Sequence, residues 1–249
     1  MNAAWIFGRE RELQALRQRL PQRKRFLFHG PSGVGKTLLL QHALADCDSV
    51  LYCAGPASPQ AMFRAVANSL LAAGDTAISR KAGRAGAEWL NSKSAASIKG
   101  TVLDALRADQ YLIVLDQLEC PSQAFAAAIR EVLGWGGTPI VAVARSAHME
   151  DAGFLLPFFP DRSEKFELRN LDPRQAEEFT RQVLGRAKLN AENKQEFFER
   201  VLEVSRGNPG AILSLVQMAT HPKYLSGDHI KIAPLYIDFR LNWKPPALR

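Results

Sequence analysis

The sequence predicts an α/β protein, a three-layer parallel sheet with helices on both faces, followed by a small all-helical lid domain. Three observations carry that prediction. Short apolar runs alternate with amphipathic helical patterns between residues 25 and 168, the pattern of right-handed β-α-β units. A glycine-rich octet lies between one apolar run and a helix-like run. After Leu168 the strand signals largely stop while helical spacing continues.

The octet is the centre of the reading. Phe26 to Leu40 reads FLFHGPSGVGKTLLL, and Gly30-Pro31-Ser32-Gly33-Val34-Gly35-Lys36-Thr37 fits G-x-x-x-x-G-K-[ST]. A strand, a glycine loop and a helix start are what a phosphate-binding loop requires. Glycines let backbone N–H groups turn inward, and the helix N-terminus adds partial positive charge. Lys36 brings a full charge to the outer phosphates, and Thr37 offers a hydroxyl to Mg²⁺. The fold class is therefore that of a P-loop NTPase. The nucleotide-contacting stretch is expected to run from Gly30 through Pro31, Ser32, Gly33, Val34, Gly35, Lys36 and Thr37 to Leu38.

Each element follows in order. Leu13, Leu16 and Leu20 predict a helix over 10–20, ended by Pro21. Residues 25–29 form the first strand, 36–45 the helix leaving the loop, and 49–54 a second strand closed by Gly55-Pro56. Met62, Val66 and Leu70 predict a helix over 59–73. Residues 74–93 read as an irregular or mobile insertion, and helical spacing returns over 94–108. The run YLIVL at 111–115, ending in Asp116, suits a central strand buried on both faces. A helix over 122–133, a strand over 138–144 ending at Arg145, and a short strand at 166–168 complete the sheet. Asp172-Pro173 is a helix start, with Asp as cap and Pro at the first position. That helix continues to Gly185, a second covers 192–205, the run 207–210 breaks the chain, and a third helix covers 211–219. The expected division is a core at 1–168, a helical lid at 169–220, and an unassigned tail at 221–249.

Composition narrows the class. At 47% hydrophobic and 23% charged residues, the chain resembles an ordinary soluble globular protein. No window approaches a membrane span, and the N-terminus lacks the apolar block of a signal peptide. Cys47, Cys53 and Cys120 have no metal-ligand spacing and fit reduced thiols in a cytoplasm. The net charge of +7 favours acidic partners, including nucleic acid, and Arg17, Arg19, Arg23, Lys24 and Arg25 form the densest basic run. A solvated helix end is the plainer explanation of that run.

Beyond the loop, chemistry needs metal control and a positioned water. Asp116 follows a strand directly and is placed to hold Mg²⁺ through water, opposite Thr37. Glu119, three residues on, is a candidate to orient the attacking water. Arg145 also ends a strand and suits a γ-phosphate with its fixed guanidinium fork. Arg162 is a weaker candidate for an arginine acting in a neighbouring subunit. Sites in open parallel sheets form at the carboxyl ends of strands, so the loop, Asp116 and Arg145 are expected at one edge.

These residues together resemble the signal-transduction (STAND) branch of the AAA+-like ATPases. Phe7-Gly8-Arg9-Glu10, with Glu12 and Leu13, is similar to the segment before the phosphate loop in that group. FHGPSGVGKT is similar to its Walker A motif, YLIVLDQLE to its Walker B motif, and VARS to its sensor-1 strand. Leu171 to Phe179 resembles the helix that opens the lid, and Arg206-Gly207-Asn208-Pro209-Gly210 a motif whose proline contacts adenine. The resemblance implies that Phe7, Gly8 and Arg9 lie near the base with Pro209 closing over it. It also implies ATP or ADP with Mg²⁺ as ligands. Gly210 stands where related ATPases carry a sensor-2 arginine, and the effector domains usual in that branch are not expected in the short tail.

The leading expectation is a nucleotide-dependent conformational switch with slow Mg²⁺-dependent ATP hydrolysis. Lys36, Glu119 and Arg145 would act in the reaction, and Thr37 and Asp116 would manage the metal. Two alternatives stand beside it: a DNA-associated adaptor that assembles on nucleic acid when ATP is bound, and a nucleotide-locked binding module with negligible turnover. A protein partner or self-assembly is expected, and a membrane is not.

Overall fold

The computed structural model describes residues 6–243 except 48, 84–85, 109–110 and 188. The last six positions of the tail, and 84–85 within the irregular stretch, lie outside the described residues.

Packing divides the chain into two compact units. The sheet unit comprises Arg11–Gly30 and Leu39–Glu167. The helical unit gathers the described parts of Met1–Glu10, Pro31–Leu38 and Leu168–Arg249. The phosphate-loop residues 31–38 therefore group with the helices, where a contiguous division at residue 168 was expected. The tail groups there too.

The sheet unit contains β1 (Phe26–His29), β2 (Val50–Ala54), β3 (Leu112–Asp116), β4 (Ile140–Ala144) and β5 (Lys165–Glu167). All pairings are parallel, in the order β2-β3-β4-β1-β5. Of the three inner strands, β3 and β4 are buried at every residue, which is why they read as uninterrupted apolar runs. Registers such as His29↔Ala144 and Ala54↔Asp116 bring the strand ends to one carboxyl edge.

Helices α1 (Glu10–Arg19), α2 (Lys36–Leu44), α3 (Pro59–Ala72), α4 (Thr76–Ala82), α5 (Ala87–Ser92), α6 (Ala95–Ala108), α7 (Gln123–Gly136) and the short α8 (Met149–Ala152) connect these strands. The core of this unit joins Met62, Val66 and Leu70 of α3 to Ile98 and Val102 of α6, and to the inner strands. Cys53 lies within that core, and burial pushes its thiol up to about 12.

Residues 74–93 correct the expectation of an irregular insertion. The buried Asp75 caps α4, accepting from the Ile78 N–H at 2.9 Å, and also accepts from the Tyr111 hydroxyl at 2.8 Å. Helices of seven and six residues span fewer than two turns, too few to establish a hydrophobic period.

The helical unit holds α9 (Pro173–Arg186), α10 (Lys194–Ser205) and α11 (Pro209–Ala219). Helix α11 begins two residues earlier than expected: Asn208 is its cap and Pro209 its first residue, so Gly210 lies inside the helix. The tail is also structured. A two-stranded hairpin, β6 (Leu225–Ser226) and β7 (His229–Ile230), leads into α12 (Ile232–Asn242). Asn193 clamps the hairpin by exchanging two 2.9 Å hydrogen bonds with the backbone of Ile230. Leu235 and Phe239, one turn apart, bury α12 against the core formed by α9, α10 and α11. Pro234 falls in the first turn of α12, where its missing N–H costs little.

Asp75→Ala removes a helix cap and a buried acceptor of the Tyr111 hydroxyl. It should lower unfolding free energy by about 2–4 kcal/mol, measured as a shifted urea midpoint with an unchanged slope.

Candidate nucleotide-binding site

The loop leaving β1 has the backbone that its glycines permit. Gly33 has φ +78° and Gly35 φ +101°, values that side-chain-bearing residues rarely adopt. The two glycines meet different surroundings. No atom lies within 4 Å of where a Cβ on Gly35 would sit. At Gly33 the same atom would come 2.8 Å from Asn208 Oδ1 and 3.2 Å from Trp243 Cζ2. Val34 is buried, and Lys36, Thr37 and Leu38 are half-buried at the start of α2. The Lys36 ammonium donates to the Pro31 carbonyl at 3.0 Å.

Helix α11 is hydrogen-bonded directly to this loop. The Asn208 amide donates to the Ser32 carbonyl at 2.9 Å, and the Gly210 N–H donates to the Gly33 carbonyl at 2.9 Å. Asn208 Oδ1 accepts from the Ala211 N–H at 3.1 Å, so one buried side chain caps the helix and holds the loop. A Cβ on Gly210 would stand 2.9 Å from both Cα and O of Gly33. This contact leaves no room for a larger side chain at that position.

The base-side candidates belong to the same unit. Phe7 packs against Phe179 of α9 with centroids 5.7 Å apart. The Gly8 carbonyl accepts from Gln175 Nε2 at 3.1 Å, and the buried Arg9 donates to the Arg169 carbonyl at 2.6 Å. Arg9 thus ties the N-terminal segment to the segment before α9. Pro209 is half-buried at the first turn of α11.

In the sheet unit, Asp116 is fully buried at the end of β3. Its Oδ1 accepts from the Gln117 N–H at 2.8 Å, and its Oδ2 accepts from the Tyr52 hydroxyl of β2. Burial, then the Asp116 charge, raises the Tyr52 pKa above the ordinary tyrosine range, so Tyr52 remains a donor. Glu119 and Arg145 are both exposed and pair with each other at 2.6 Å. The Arg145 carbonyl accepts from the Gly30 N–H at 3.2 Å, fixing the first residue of the loop to the strand end. Arg162 sits at the amino end of β5, away from the carboxyl edge that carries Asp116 and Arg145.

The loop by itself fits a phosphate ligand, and Asp116 by itself has capacity for a metal-bound water. Gly33 and Gly35 open the loop backbone, and the first turn of α2 supplies N–H groups that have no intrahelical acceptor. A carboxylate has about four acceptor sites, and two hydrogen bonds to Asp116 leave capacity for a metal-bound water. Among the described residues no cluster of three His, Cys, Asp or Glu side chains forms a metal cage. Mg²⁺ in phosphate sites takes one or two protein groups and completes its shell with water and phosphate.

Tyr52, Gln175 and Trp243 escaped the sequence reading. Tyr52 reaches Asp116 only because β2 pairs with β3, and strand order was not legible. Trp243 lies in the tail, its indole N–H buried without a hydrogen-bond partner.

A strand–glycine loop–helix unit on a parallel sheet, with a buried aspartate ending the neighbouring strand but one, defines a P-loop nucleotide-binding ATPase. The family described as AAA ATPase domain matches residues 6–207, and the chain belongs to that family. No curated protein matches the sequence. Among solved structures, the fold is similar to the Orc1 protein of Aeropyrum pernix in complex with DNA, with TM-score 0.58 and 15% identity over 94% of this chain and 65% of that one. A Walker-type ATPase of Pyrococcus abyssi gives 0.55 and 14%, over 88% and 69%. Cdc6p from Pyrobaculum aerophilum gives 0.53 and 18%, over 90% and 64%. The chain thus spans about two thirds of each of these structures, which establish the fold. No helix among the described residues is long and apolar enough to cross a membrane.

Gly210→Ala forces a methyl against the Gly33 backbone, so it should destabilise the helical unit by about 1–3 kcal/mol and weaken nucleotide affinity; a thermal melt with a parallel nucleotide titration reads both. The raised Tyr52 pKa gives a second expectation. The unfolded chain releases that proton near pH 10 while the fold retains it, so this stabilisation is complete below about pH 10 and is lost as pH rises beyond it. Urea midpoints at pH 8 and pH 11 should therefore differ less in Tyr52→Phe than in the parent chain.

Proposed function

We propose that the chain binds ATP with Mg²⁺, hydrolyses it slowly, and uses the bound nucleotide as a conformational switch. The observation that carries this reading is the pair of hydrogen bonds from Asn208 and Gly210 to Ser32 and Gly33. A loop that must rearrange its backbone around phosphates is thereby joined to the first turn of α11. Residues 169–220 would act as the lid, moving when those carbonyls reorient.

The roles follow from the chemistry of each side chain. The loop N–H groups and Lys36 neutralise the phosphate oxygens, and Lys36 exchanges its Pro31 carbonyl for them. Thr37 and Asp116 would hold Mg²⁺, Asp116 through water, with Tyr52 fixing the carboxylate. The metal supplies charge neutralisation at the phosphates when bound. Glu119 orients the attacking water and accepts its proton. Arg145 exchanges Glu119 for the γ-phosphate, releasing the carboxylate for that role. Phe7, Gly8, Arg9 and Pro209 form the base side. The exposed Glu119–Arg145 pair supports slow turnover, because the water-positioning acid is engaged until the arginine is drawn away. Self-assembly or association with nucleic acid is a second reading, supported by the net charge of +7.

Lys36→Ala should raise the ATP dissociation constant by roughly 10- to 100-fold, and should remove ATP-dependent changes in amide exchange in α11. Calorimetry and hydrogen exchange with Mg²⁺ present test both parts. Unchanged affinity would remove the phosphate-loop assignment. Tight ATP binding with no phosphate release over hours would replace the slow ATPase by a nucleotide-locked module.

A further inference from the structure

The basic run between α1 and β1 surrounds a cavity unrelated to the phosphate loop. It has a volume of about 680 Å³, and its wall includes Arg19, Arg23, Lys24, Arg25, Glu164 and Phe166. The cavity opens at the amino edge of the sheet, before β1 and β5, whereas Asp116 and Arg145 stand at the carboxyl edge. Its residues belong to the sheet unit alone.

The cations converge there through specific contacts. Arg19 donates to the Ser163 carbonyl while its guanidinium lies 4.8 Å above the Phe26 ring. Arg25 Nε is 3.3 Å from Glu164 Oε1. Two guanidiniums therefore meet consecutive residues of one segment. Between them, Arg23 is held at φ +51°, a left-handed conformation uncommon for a side chain of this kind, with its N–H donating to the Leu20 carbonyl at 3.1 Å. Arg17 is not part of the wall and pairs with Asp46 at 3.6 Å.

Charge and size identify the ligand class. Among the described residues of the wall, the four named cations and one carboxylate sum to a charge of +3. One phosphate monoester carries about −1.5 to −2, so a single phosphate is insufficient and two match. Guanidinium forks suit phosphate oxygens, and the volume is that of a small-molecule site. Burial also lowers the Arg19 pKa, showing a cation already partly stripped of water. We infer that this cavity is a second anion site, which takes a ligand bearing at least two phosphate groups.

The test uses the full chain carrying Lys36→Ala, which silences the phosphate loop, and inorganic pyrophosphate as the probe. Calorimetry should show pyrophosphate binding that weakens with added salt. Adding Arg23→Gln and Lys24→Gln should weaken it at least tenfold, and Lys24→Glu alone should do so if the double variant misfolds by circular dichroism. In the parent loop background, Lys24→Glu should leave ATP affinity unchanged. A short single-stranded oligonucleotide is the comparison arm. If it binds more tightly than pyrophosphate and is lost in the same variants, the site stands and its phosphates come from a nucleic-acid backbone. No pyrophosphate or oligonucleotide binding in Lys36→Ala, or binding indifferent to Arg23 and Lys24, overturns the assignment. Because the pyrophosphate and oligonucleotide measurements are made with the phosphate loop disabled, neither of their outcomes bears on the ATP reading.

Discussion

The approach of α11 to the phosphate loop is the constraint on which the helical unit depends. The Gly210 N–H reaches the Gly33 carbonyl at 2.9 Å, and the Asn208 amide reaches the neighbouring Ser32 carbonyl at the same distance. Both positions at the closest approach are glycine because a Cβ on either would intrude on the opposite backbone or on Asn208. Each such hydrogen bond contributes a net ~0.5–1.5 kcal/mol, so the pair is worth about 1–3 kcal/mol. Coupling free energies between sites fall in that same range. The two hydrogen bonds thus join the first turn of α11 to the loop backbone.

Asp116 poses the opposite problem in the sheet unit. A fully buried carboxylate costs several kcal/mol unless hydrogen bonds compensate it. Gln117 supplies a backbone N–H, at a positive φ of 56°, and Tyr52 supplies a hydroxyl from the adjacent strand. The left-handed φ at Gln117 turns the chain immediately after that N–H. The Tyr52 proton is held by the same arrangement.

Much of this was legible from sequence because it rests on local patterns. The inner strands appear as apolar runs since both faces are covered, and the octet carries its own geometry. Asp172-Pro173 marks the start of α9 through cap chemistry, and the same Asx-Pro logic holds at Asn208-Pro209, where the two glycines were instead read as a break. What was not legible depends on contacts distant in sequence. Tyr52 and Asp116 are 64 residues apart, and Gln175 and Gly8 are 167 apart. Helices α4 and α5 are too short to show a period, and the prolines of the tail obscured α12, where Pro234 occupies a first-turn position that tolerates it.

The two loop glycines divide their work, and the division explains why the tail matters. Gly35 faces open space, so its lack of a side chain answers to no protein neighbour. Gly33 faces Asn208 and Trp243, so its lack of a side chain serves the protein side. Trp243 reaches that position because Phe239, one turn earlier on α12, is anchored in the helical core and packs on the indole at 5.6 Å. The hairpin before α12 is in turn fixed by Asn193 ahead of α10. A displacement of Gly33 therefore meets resistance from two helices that are separately anchored, α11 through Asn208 and α12 through Trp243. A loop movement that satisfied one and not the other would open a gap beside a buried, unpartnered indole N–H. Residues 221–243 therefore belong to the packing that holds Gly33 and are not an appendage to the helical unit.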